Sequence, residues 1–497
     1  MKGRPSGIVL LALLVGAACT TPPAPAVAIA SPTLSARPTP SPSAPLVVPS
    51  PAARVAPATT FYHLRIDFST TSDWSILDLR EGANVLTERV VSGTAQLAAG
   101  PGGESQIVLT QTIASAYRLE RIAATVDIAV AAAIARGPVD FTLRKGSLNG
   151  SIVRISRVVG ADVTVIRQIT HASAFAGDPE NRLAFSLAPS ALGGPNTVPP
   201  ATTRPNKMLW AFYYPWYHYS DWTSQRLRDH PADTYQSSDR DVIERHVDQA
   251  RWAGIDGFIS SWWGPRDYTD RNIATLFEVA RQRDFRVMPY FETLGDLAQP
   301  RGRDQITEWL EYFISTYRDE PAIQRLNGKP LIVVWASGTV SRATWRDIFT
   351  DLEAHGYQAA YLAMSTDTAD LDTFAGLHWY GGAGMPDLAG VFARAGRGVR
   401  NYPLLDDVPT PRLWAASAQP GYDDRLLPDR KGGSVLERSD GALYRSTLDA
   451  AARSDPDWIF ITSWNEWWEH TYIEPSQSYG ERYLELTREF AMRWKAT

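Results

Sequence analysis

Two glutamates three residues apart, Glu466 and Glu469, are the residues of this chain best suited to acid–base chemistry. Three tryptophans lie beside them, and the apolar run 458–461 comes directly before, which predicts a buried strand that brings the pair to the protein surface. Glycosidic bond cleavage needs one group to protonate the leaving oxygen and a second on the opposite side, and paired carboxyl groups supply both. Nearby tryptophans would raise the pKa of a carboxyl group by removing water. The alternative is a core strand whose acids cap the next helix.

The composition limits the classes of function. A chain of 497 residues predicts two or more domains. Its formal net charge of -5 gives no excess of positive charge for binding nucleic acid. The single cysteine, Cys19, excludes a disulfide framework and a cysteine-based metal site. The sequence predicts no metal and no other cofactor, and we expect a monomer.

The N-terminal 60 residues predict export followed by a stalk. Residues 1–19 have a basic start, an apolar core and a small-residue ending at Cys19, which is typical of an export signal. A lipid anchor on Cys19 and plain secretion remain the two alternatives, so the predicted location is the cell envelope or the exterior, with the anchor as the only membrane contact. Residues 20–60 are rich in Pro, Ala, Ser and Thr, and we expect them to be disordered.

Residues 61–195 predict an all-β sandwich, because short segments alternate apolar and polar residues between Gly-rich turns. This accessory domain would either bind carbohydrate or act as a spacer. Only Trp74 of the 17 tryptophans lies here, whereas binding of sugar rings usually needs several exposed aromatic platforms, so the composition favours a spacer.

After a linker at 196–206, residues 207–497 predict a (β/α)8 barrel, since strand and helix periodicities alternate eight times over about 290 residues. A doubly wound open sheet is the competing fold, but no Gly-rich phosphate loop follows the first strand. The predicted strands are 208–216, 256–263, 286–292, 330–336, 359–365, 377–380, 412–417 and 458–463. The predicted helices are 241–252, 270–283, 304–317, 342–355, 387–395, 441–453 and one from about 480.

The predicted strand ends are rich in aromatic and polar side chains, which is where barrel enzymes form their active sites. Aromatic rings pack on the apolar faces of sugars, and carboxylates and amides bind sugar hydroxyls. The sequence therefore predicts substrate-binding residues, namely Tyr214, Trp216, Trp262, Trp263, Glu292, Trp335, Tyr380, Tyr422, Asp423, Asn465 and Trp467.

Four segments resemble one known family. The run Ser463-Trp-Asn-Glu-Trp-Trp-Glu-His-Thr-Tyr-Ile-Glu-Pro475 is similar to the strand-eight signature of glycoside hydrolase family 99, the endo-α-mannosidase-like hydrolases, and of WbsX-like bacterial relatives. Segments 211–217, 257–263 and 420–424 resemble the motifs of strands one, two and seven. The α-glucanases of family 71 are a more distant resemblance.

The resemblance implies a metal-free retaining enzyme that cuts inside α-linked glycans and uses the substrate's own 2-hydroxyl as nucleophile. It would make Glu466 the base for that hydroxyl and Glu469 the acid, then base, at the leaving oxygen; Glu292 would contact the sugar. The chain departs from the family pattern in three places: Trp468 stands for His, His470 stands for Gly, and the third-strand pattern around Glu292 is only partly matched.

We therefore expect an exported retaining endo-hydrolase of an α-linked polysaccharide, with α-mannan first and α-glucan second. The rival hypothesis is a non-catalytic cell-surface protein that binds glycan or assists polysaccharide assembly. Two residues of the same segment have weaker interpretations. His470 would orient a carboxylate or be an exposed loop residue, and Glu474 is interpreted as the edge of the loop rather than a third sugar contact.

Overall fold

The computed structural model describes residues 59–79, 85–100, 104–132, 138–146, 150–171, 181–198, 204–295, 298–406, 410–428 and 432–497. The predicted export signal with Cys19 and most of the predicted stalk lie outside these residues. Within the described ranges, no helix is long and apolar enough to cross a membrane.

The N-terminal part folds into two antiparallel sheets. One sheet has the strand order β3-β6-β1-β8-β9 with β11 also on β1, and the other has the order β10-β7-β2-β5-β4. The strands are β1 Thr59–Thr70, β2 Trp74–Leu79, β3 Val85–Gly93, β4 Gln96–Ala99, β5 Ser105–Thr110, β6 Ile122–Ala131, β7 Val139–Lys145, β8 Ser151–Val159, β9 Asp162–His171, β10 Arg182–Leu187 and β11 Asn196–Val198. Two short helices, α1 Ile113–Tyr117 and α2 Pro189–Leu192, complete this part.

Alternate residues of each strand form the core between the two sheets. Leu64, Ile66 and Phe68 of β1 are at most 1% exposed and pack in one cluster with Leu77 of β2 and Leu143 of β7 from the other sheet. This is the packing of a β-sandwich, so the prediction from period-two alternation is confirmed.

The C-terminal part is a closed barrel of eight parallel strands, β12, β13, β14, β16, β17, β18, β19 and β22 in sheet order, in which β22 pairs with β12. The strands are β12 Met208–Tyr213, β13 Gly257–Trp262, β14 Arg286–Glu292, β15 Arg325–Leu326, β16 Lys329–Trp335, β17 Ala360–Met364, β18 Gly376–His378, β19 Leu413–Ala418, β20 Tyr422–Asp423, β21 Val435–Leu436 and β22 Trp458–Ile461. The predicted (β/α)8 barrel is therefore confirmed, and the open-sheet alternative is excluded.

Helices surround the barrel: α3 Arg240–Trp252, α4 Tyr268–Gln282, α5 Arg303–Tyr317, α6 Arg342–Ala354, α7 Leu388–Asn401, α8 Ala442–Arg453 and α9 Arg482–Lys495. Between β17 and β18 the connection is a short 3-10 helix, Thr368–Asp372. The α7 helix extends beyond the predicted end at 395, because Val399 continues its buried face and Gly398 allows the close approach of Thr368.

Strand residues of the barrel alternate between two cores. Phe258 and Trp262 of β13 face the surrounding helices, whereas Ile259 faces the barrel interior. The interior is unusually aromatic: the ring of Phe212 lies 4.6 Å from that of Tyr290 and 5.7 Å from that of Phe460. Aromatic packing therefore begins inside the barrel and continues to its carboxyl-terminal end.

The sandwich and the barrel are in direct contact through β3. Thr87 Oγ1 donates to Gly398 O over 3.1 Å, and Arg89 forms an ion pair with Asp406 at 2.9 Å. Thr368 Oγ1 donates in turn to the carbonyl of Glu88 over 3.1 Å. The accessory domain thus packs beside α7, on the helical exterior of the barrel.

Candidate active site

The loop after β22, residues 462–475, carries both predicted acids and is fixed by the barrel. Trp464 N–H donates to Phe212 O of β12 over 2.7 Å. Glu466 N–H donates to Ser463 Oγ, also over 2.7 Å. These bonds hold the loop at the carboxyl ends of two neighbouring strands, so the position of Glu466 is set by the barrel itself.

The carboxyl group of Glu466 is almost fully buried, at 1% exposure. Its Oε1 accepts hydrogen bonds from Trp468 N–H at 3.1 Å and from the Tyr217 hydroxyl at 3.3 Å. Its Oε2 is buried as well and has no hydrogen-bond partner among the described residues. Burial raises the pKa of Glu466 well above its usual range, and the neighbouring Glu469 carboxylate raises it further. Hydrogen bonds from the Trp468 and Glu469 backbone N–H groups and from the Tyr217 hydroxyl oppose the shift.

Glu469 is also buried, at 3% exposure, and its backbone carbonyl accepts a hydrogen bond from Asp423 N–H at 2.8 Å. The Tyr380 hydroxyl lies 2.7 Å from the Tyr214 hydroxyl. Burial raises the pKa of Tyr380 well above its usual range, and the carboxylates of Glu469 and Glu466 raise it further. The structure therefore brings four of the predicted residues together: Glu466, Glu469, Tyr214 and Tyr380.

Two glycines position Tyr380. Gly381 and Gly382 have φ values of +78° and +102°, a region that residues with a side chain rarely adopt. Gly381 is bound on both sides: its N–H donates to Thr462 Oγ1 over 3.2 Å, and its carbonyl accepts from Ser417 Oγ at 2.6 Å. The sharp turn after β18 thus places Tyr380 beside the carboxylate pair.

Glu292, at the end of β14, is 5% exposed, and its Oε1 accepts a hydrogen bond from Ser261 Oγ at 2.7 Å. Burial raises the pKa of Glu292 to about 7, while the Ser261 hydroxyl and the Arg301 charge oppose the rise. The indole of Trp263 donates to the same Ser261 oxygen over 3.1 Å. Glu292 is therefore linked through Ser261 to the end of β13.

The predicted aromatic residues form a continuous row, which we call the aromatic arc: Trp263, Trp216, Tyr214, Tyr380 and Trp335. Ring centroids are 6.4 Å apart for Trp263 and Trp216, 4.6 Å for Trp216 and Tyr214, and 4.8 Å for Tyr380 and Trp335. Trp263, Trp216 and Tyr380 are only half-buried. Their rings keep area that the apolar face of a sugar can cover.

Two predicted substrate contacts are wrong. Trp262 is fully buried in the layer between strands and helices, where its indole donates to Asp270 Oδ1 over 2.8 Å. Trp467 is 1% exposed, stacks on Tyr472 with centroids 3.8 Å apart, and donates to Glu474 Oε2 over 3.0 Å. Both rings are covered by protein, so neither can pack on a sugar.

Asn465 is fully buried, and its amide joins the residue after β12 to the loop after β22. Its Oδ1 accepts from Tyr214 N–H at 2.7 Å, and its Nδ2 donates to Tyr214 O over 3.0 Å and to the Tyr235 hydroxyl over 3.2 Å. Both amide donors are used within the protein. The structure thus gives Asn465 a positioning role, and its contact with substrate stays a prediction.

Asp423 lies beside the backbone of Glu469 and is paired with two arginines. Arg425 donates to both of its oxygens, at 2.9 and 2.7 Å, and Arg228 Nε lies 3.1 Å from it. Burial raises the pKa of Asp423, but these arginines outweigh burial and hold the pKa below its usual range. Tyr422 donates its hydroxyl to Asp424 over 2.8 Å. Substrate contacts by Tyr422 and Asp423 stay predictions.

Sequence reasoning missed a buried polar network behind Glu466. Tyr235, His246 and Tyr217 were not predicted site residues, and Glu474 is not simply a loop edge, because it is 5% exposed and its carboxylate accepts a hydrogen bond from the Tyr235 hydroxyl at 3.0 Å. Tyr217 belongs to the aromatic motif after β12, which was a signal for it. Tyr235 and His246 are distant in sequence and gave none.

His470, at a departure from the family pattern, is half-buried rather than exposed. It packs edge-on against Tyr472 at 5.2 Å. Burial lowers its pKa to about 4, and the Arg438 charge lowers it further, so the imidazole is neutral near pH 7. Across the described ranges, no three His, Cys, Asp or Glu side chains come together as metal ligands do.

The comparisons with known proteins identify the family of the chain. The family model for glycosyl hydrolase family 99 matches residues 230–488, more than half of the chain. The chain belongs to glycosyl hydrolase family 99. It is therefore a glycoside hydrolase, and the expectation drawn from the strand-end motifs is confirmed at the level of family and reaction class. The matched residues of this family 99 chain begin after β12 and leave out the sandwich.

Two of the curated relatives are animal proteins. The glycoprotein endo-alpha-1,2-mannosidase-like protein of Mus musculus is 26% identical over 387 residues, which is 62% of this chain and 81% of that protein. The glycoprotein endo-alpha-1,2-mannosidase of Rattus norvegicus is 24% identical over 339 residues, or 56% of this chain and 71% of that protein.

Among solved structures, the family 99 endo-alpha-mannosidase of Bacteroides thetaiotaomicron is similar in fold. It is 23% identical, covers 58% of this chain and 97% of its own, and superposes with a TM-score of 0.51. At this identity the likeness establishes the barrel fold of the family 99 chain alone.

Proposed function

We propose that this glycoside hydrolase is a retaining, endo-acting enzyme on an α-linked glycan, with Glu466 and Glu469 as its catalytic residues. The observation that carries the proposal is the buried carboxylate pair beside the Tyr380 hydroxyl. The Glu469 carboxylate makes it harder for Glu466 to lose its proton. The pair therefore holds one proton to higher pH than an isolated glutamate does, and retaining hydrolysis needs one proton on the pair.

The roles follow the resemblance. Ionised Glu466 takes the proton from the substrate's 2-hydroxyl, and that oxygen attacks the anomeric carbon as the glycosidic bond breaks. Protonated Glu469 gives its proton to the leaving oxygen, which leaves a 1,2-anhydro sugar. Glu469 then takes a proton from water, water oxygen attacks the same carbon, and Glu466 returns its proton to O2. Two inversions at one carbon give net retention, and both carboxyl groups recover their starting states.

The Oε2 of Glu466 is buried and has no protein hydrogen-bond donor among the described residues, so a substrate hydroxyl that reaches it would displace no such donor, which suits the base. The half-buried rings of the aromatic arc supply sugar-stacking surfaces next to it, and Glu292 supplies an acceptor for sugar hydroxyls. Endo action is supported by the names of the curated relatives, glycoprotein endo-alpha-1,2-mannosidase and endo-alpha-1,2-mannosidase-like protein.

We favour α-mannan as the substrate because the curated relatives carry the name endo-alpha-1,2-mannosidase. An α-glucan is second, and it would need a different nucleophile, because the 2-hydroxyl of an α-glucoside lies on the same face of the ring as the leaving oxygen. Trp468 and His470, which depart from the family pattern, lie in the same loop as the acids, so they are where a change of sugar preference would arise.

The experiment is to incubate the purified chain with a panel of α-mannans and α-glucans and to follow the product anomers by NMR. We expect internal cleavage of an α-mannan with the α-anomer formed first. Glu469→Gln should abolish hydrolysis while glycan affinity stays within about tenfold, since an amide cannot donate the proton but keeps the shape. Binding without any hydrolysis by the wild-type chain would support the rival, a non-catalytic glycan-binding or polysaccharide-assembly protein.

We also propose that the protein is an exported monomer, anchored to the envelope through a lipid on Cys19, because the first 19 residues resemble a lipoprotein signal. Labelling of cells with a fatty-acid analogue should mark the wild-type chain and not Cys19→Ser. Equal labelling of both would contradict an anchor at this residue.

A further inference from the structure

Glu474 lies behind the β22 loop, at the centre of a buried polar network. Its Oε2 accepts two hydrogen bonds at 3.0 Å, one from the Tyr235 hydroxyl and one from the Trp467 indole. Its Oε1 lies 2.8 Å from His246 Nε2. A carboxylate that is 5% exposed needs such partners, because burial of an unpaired charge is costly.

The partners of Glu474 lead to both neighbours of Glu466. Trp467 follows Glu466 and is bound directly. Asn465 precedes Glu466 and donates to the Tyr235 hydroxyl over 3.2 Å, while that hydroxyl donates to Glu474. Glu466 therefore lies between two residues that are tied to the same Glu474 oxygen, Trp467 directly and Asn465 through the Tyr235 hydroxyl.

His246 completes the network on the far side. It is fully buried on α3, and its Nδ1 lies 3.2 Å from the hydroxyl of Tyr213 at the end of β12. The network thus connects a helix, the first strand and the last loop of the barrel. The helix and the strand are regular elements, so they can hold a side chain of this loop more accurately than the loop alone can.

We propose that Glu474 is a positioning residue for Glu466: it fixes the backbone on both sides of Glu466 and so sets where the base meets the substrate's 2-hydroxyl. This inference rests on the proposed function. Small displacements of a catalytic group lower the rate of the chemical step far more than they lower binding. Loss of the network should therefore reduce kcat and leave KM nearly unchanged.

The test removes one hydroxyl at a time. Tyr235→Phe should lower kcat about tenfold with KM within about threefold. Tyr317→Phe is the matched control, because the Tyr317 hydroxyl donates over 2.9 Å to another buried carboxylate, Asp270, in the layer between strands and helices. That control should keep kcat within about twofold. Equal losses in the two variants would overturn the proposal.

A double-mutant cycle separates positioning from a general loss of structure. In a Glu474→Ala background, Tyr235→Phe should lower kcat by less than about twofold, because its effect passes through Glu474. Fully additive losses would contradict this. Glu474→Gln keeps an acceptor oxygen and should stay within about fivefold of wild-type kcat. If Glu474→Ala does not fold, Trp467→Phe combined with Tyr235→Phe gives the same cycle, since both donors share one oxygen.

Hydrogen–deuterium exchange tests the network without substrate. Peptides from 463–474 should exchange faster in Tyr235→Phe than in Tyr317→Phe at equal unfolding midpoints. Unchanged exchange would overturn the positioning role even if the enzyme is active. Conversely, a wild-type chain that hydrolyses no α-glycan refutes the proposed function, and the exchange experiment still decides the positioning.

Discussion

The chain has two Trp-Trp pairs near strand ends, and they are built alike. Trp262-Trp263 lies at the end of β13, and Trp467-Trp468 lies in the loop after β22. In each pair the first tryptophan is buried and donates its indole N–H to a buried carboxylate. The second is half-buried at the mouth of the barrel. The first member is an anchor, and the second presents a ring to the site.

The two pairs differ in what their anchoring carboxylates reach. Asp270 also accepts from Tyr312 and Tyr317, which belong to α5, so that network lies outside the barrel. Glu474 reaches the residues on either side of Glu466. A buried tryptophan bound to a buried carboxylate thus stabilises packing at the end of β13. On our proposal, the same arrangement after β22 sets the catalytic geometry.

The largest expected difference between the end of β13 and the loop after β22 is in how substitutions there change kcat. Glu466→Gln should lower kcat by about 10³-fold, because general base catalysis contributes that much and an amide cannot accept the proton. Asp270→Asn, the matched change at the other end, should keep kcat within about threefold. Both are measured by release of reducing ends from an α-mannan, with circular dichroism as the check on folding. A Glu466→Gln variant with a tenth of wild-type activity would place the base elsewhere.

Within the strand-two pair, stability and binding should separate. Trp262→Ala should lower the free energy of unfolding by about 3–5 kcal/mol, as expected for a fully buried tryptophan. Trp263→Ala should cost less stability and instead raise KM about tenfold, through the loss of one stacking ring. Urea unfolding and initial rates measure the two quantities. A large rise in KM for Trp262→Ala together with the larger loss of stability for Trp263→Ala would contradict these roles.

The fold was predictable because its signals are local and periodic. Period-two alternation in residues such as Leu64 to Phe68 predicted the sandwich, and the eight strand and helix alternations predicted the barrel. The pair Glu466 and Glu469 was found for the same reason, since it follows a recognisable strand. Trp262 was misassigned because the strand-end aromatics were treated as one set, although it shares an outward face with Phe258.

Glu474 could not have been understood from the sequence. Its partner Tyr235 is 239 positions away, and their contact exists only once the barrel has closed. In the sequence, Glu474 is an isolated glutamate before a proline. Nothing there indicates that Tyr235 and Trp467 donate hydrogen bonds to it or that His246 lies beside it. Long-range polar networks of this kind are specified by the fold as a whole.

The strand-two end also bears on the pH dependence of stability, through Ser261 and Glu292. The pKa of Glu292 is raised to about 7 in the folded protein, so the folded state binds its proton more tightly than the unfolded state does. Glu292 therefore costs stability as pH rises from about 4.5 to 7. Glu292→Gln should be more stable relative to wild type at pH 8 than at pH 5, by about 2 kcal/mol.

Urea unfolding followed by tryptophan fluorescence reports mainly on the barrel, where all the tryptophans except Trp74 lie. Tyr317→Phe should show no such pH-dependent gain, since it leaves Glu292 in place. A relative stability of Glu292→Gln that is the same at both pH values would show that Glu292 is not protonated in the folded protein.

The smallest expected effect distinguishes Glu466, whose pKa is raised by burial and by a neighbouring carboxylate, from Glu292, whose pKa is raised by burial alone. Glu469→Gln removes the state in which Glu469 is ionised and the shared proton lies on Glu466, so the pKa of Glu466 should fall and the acid limb of the rate profile should move to lower pH, by about one unit. The profile is measured with an α-mannoside that carries a good leaving group, which needs no proton from residue 469. A good leaving group leaves the base step exposed, so an acid limb that stays in place or moves to higher pH would mean that the two carboxyl groups do not share their proton.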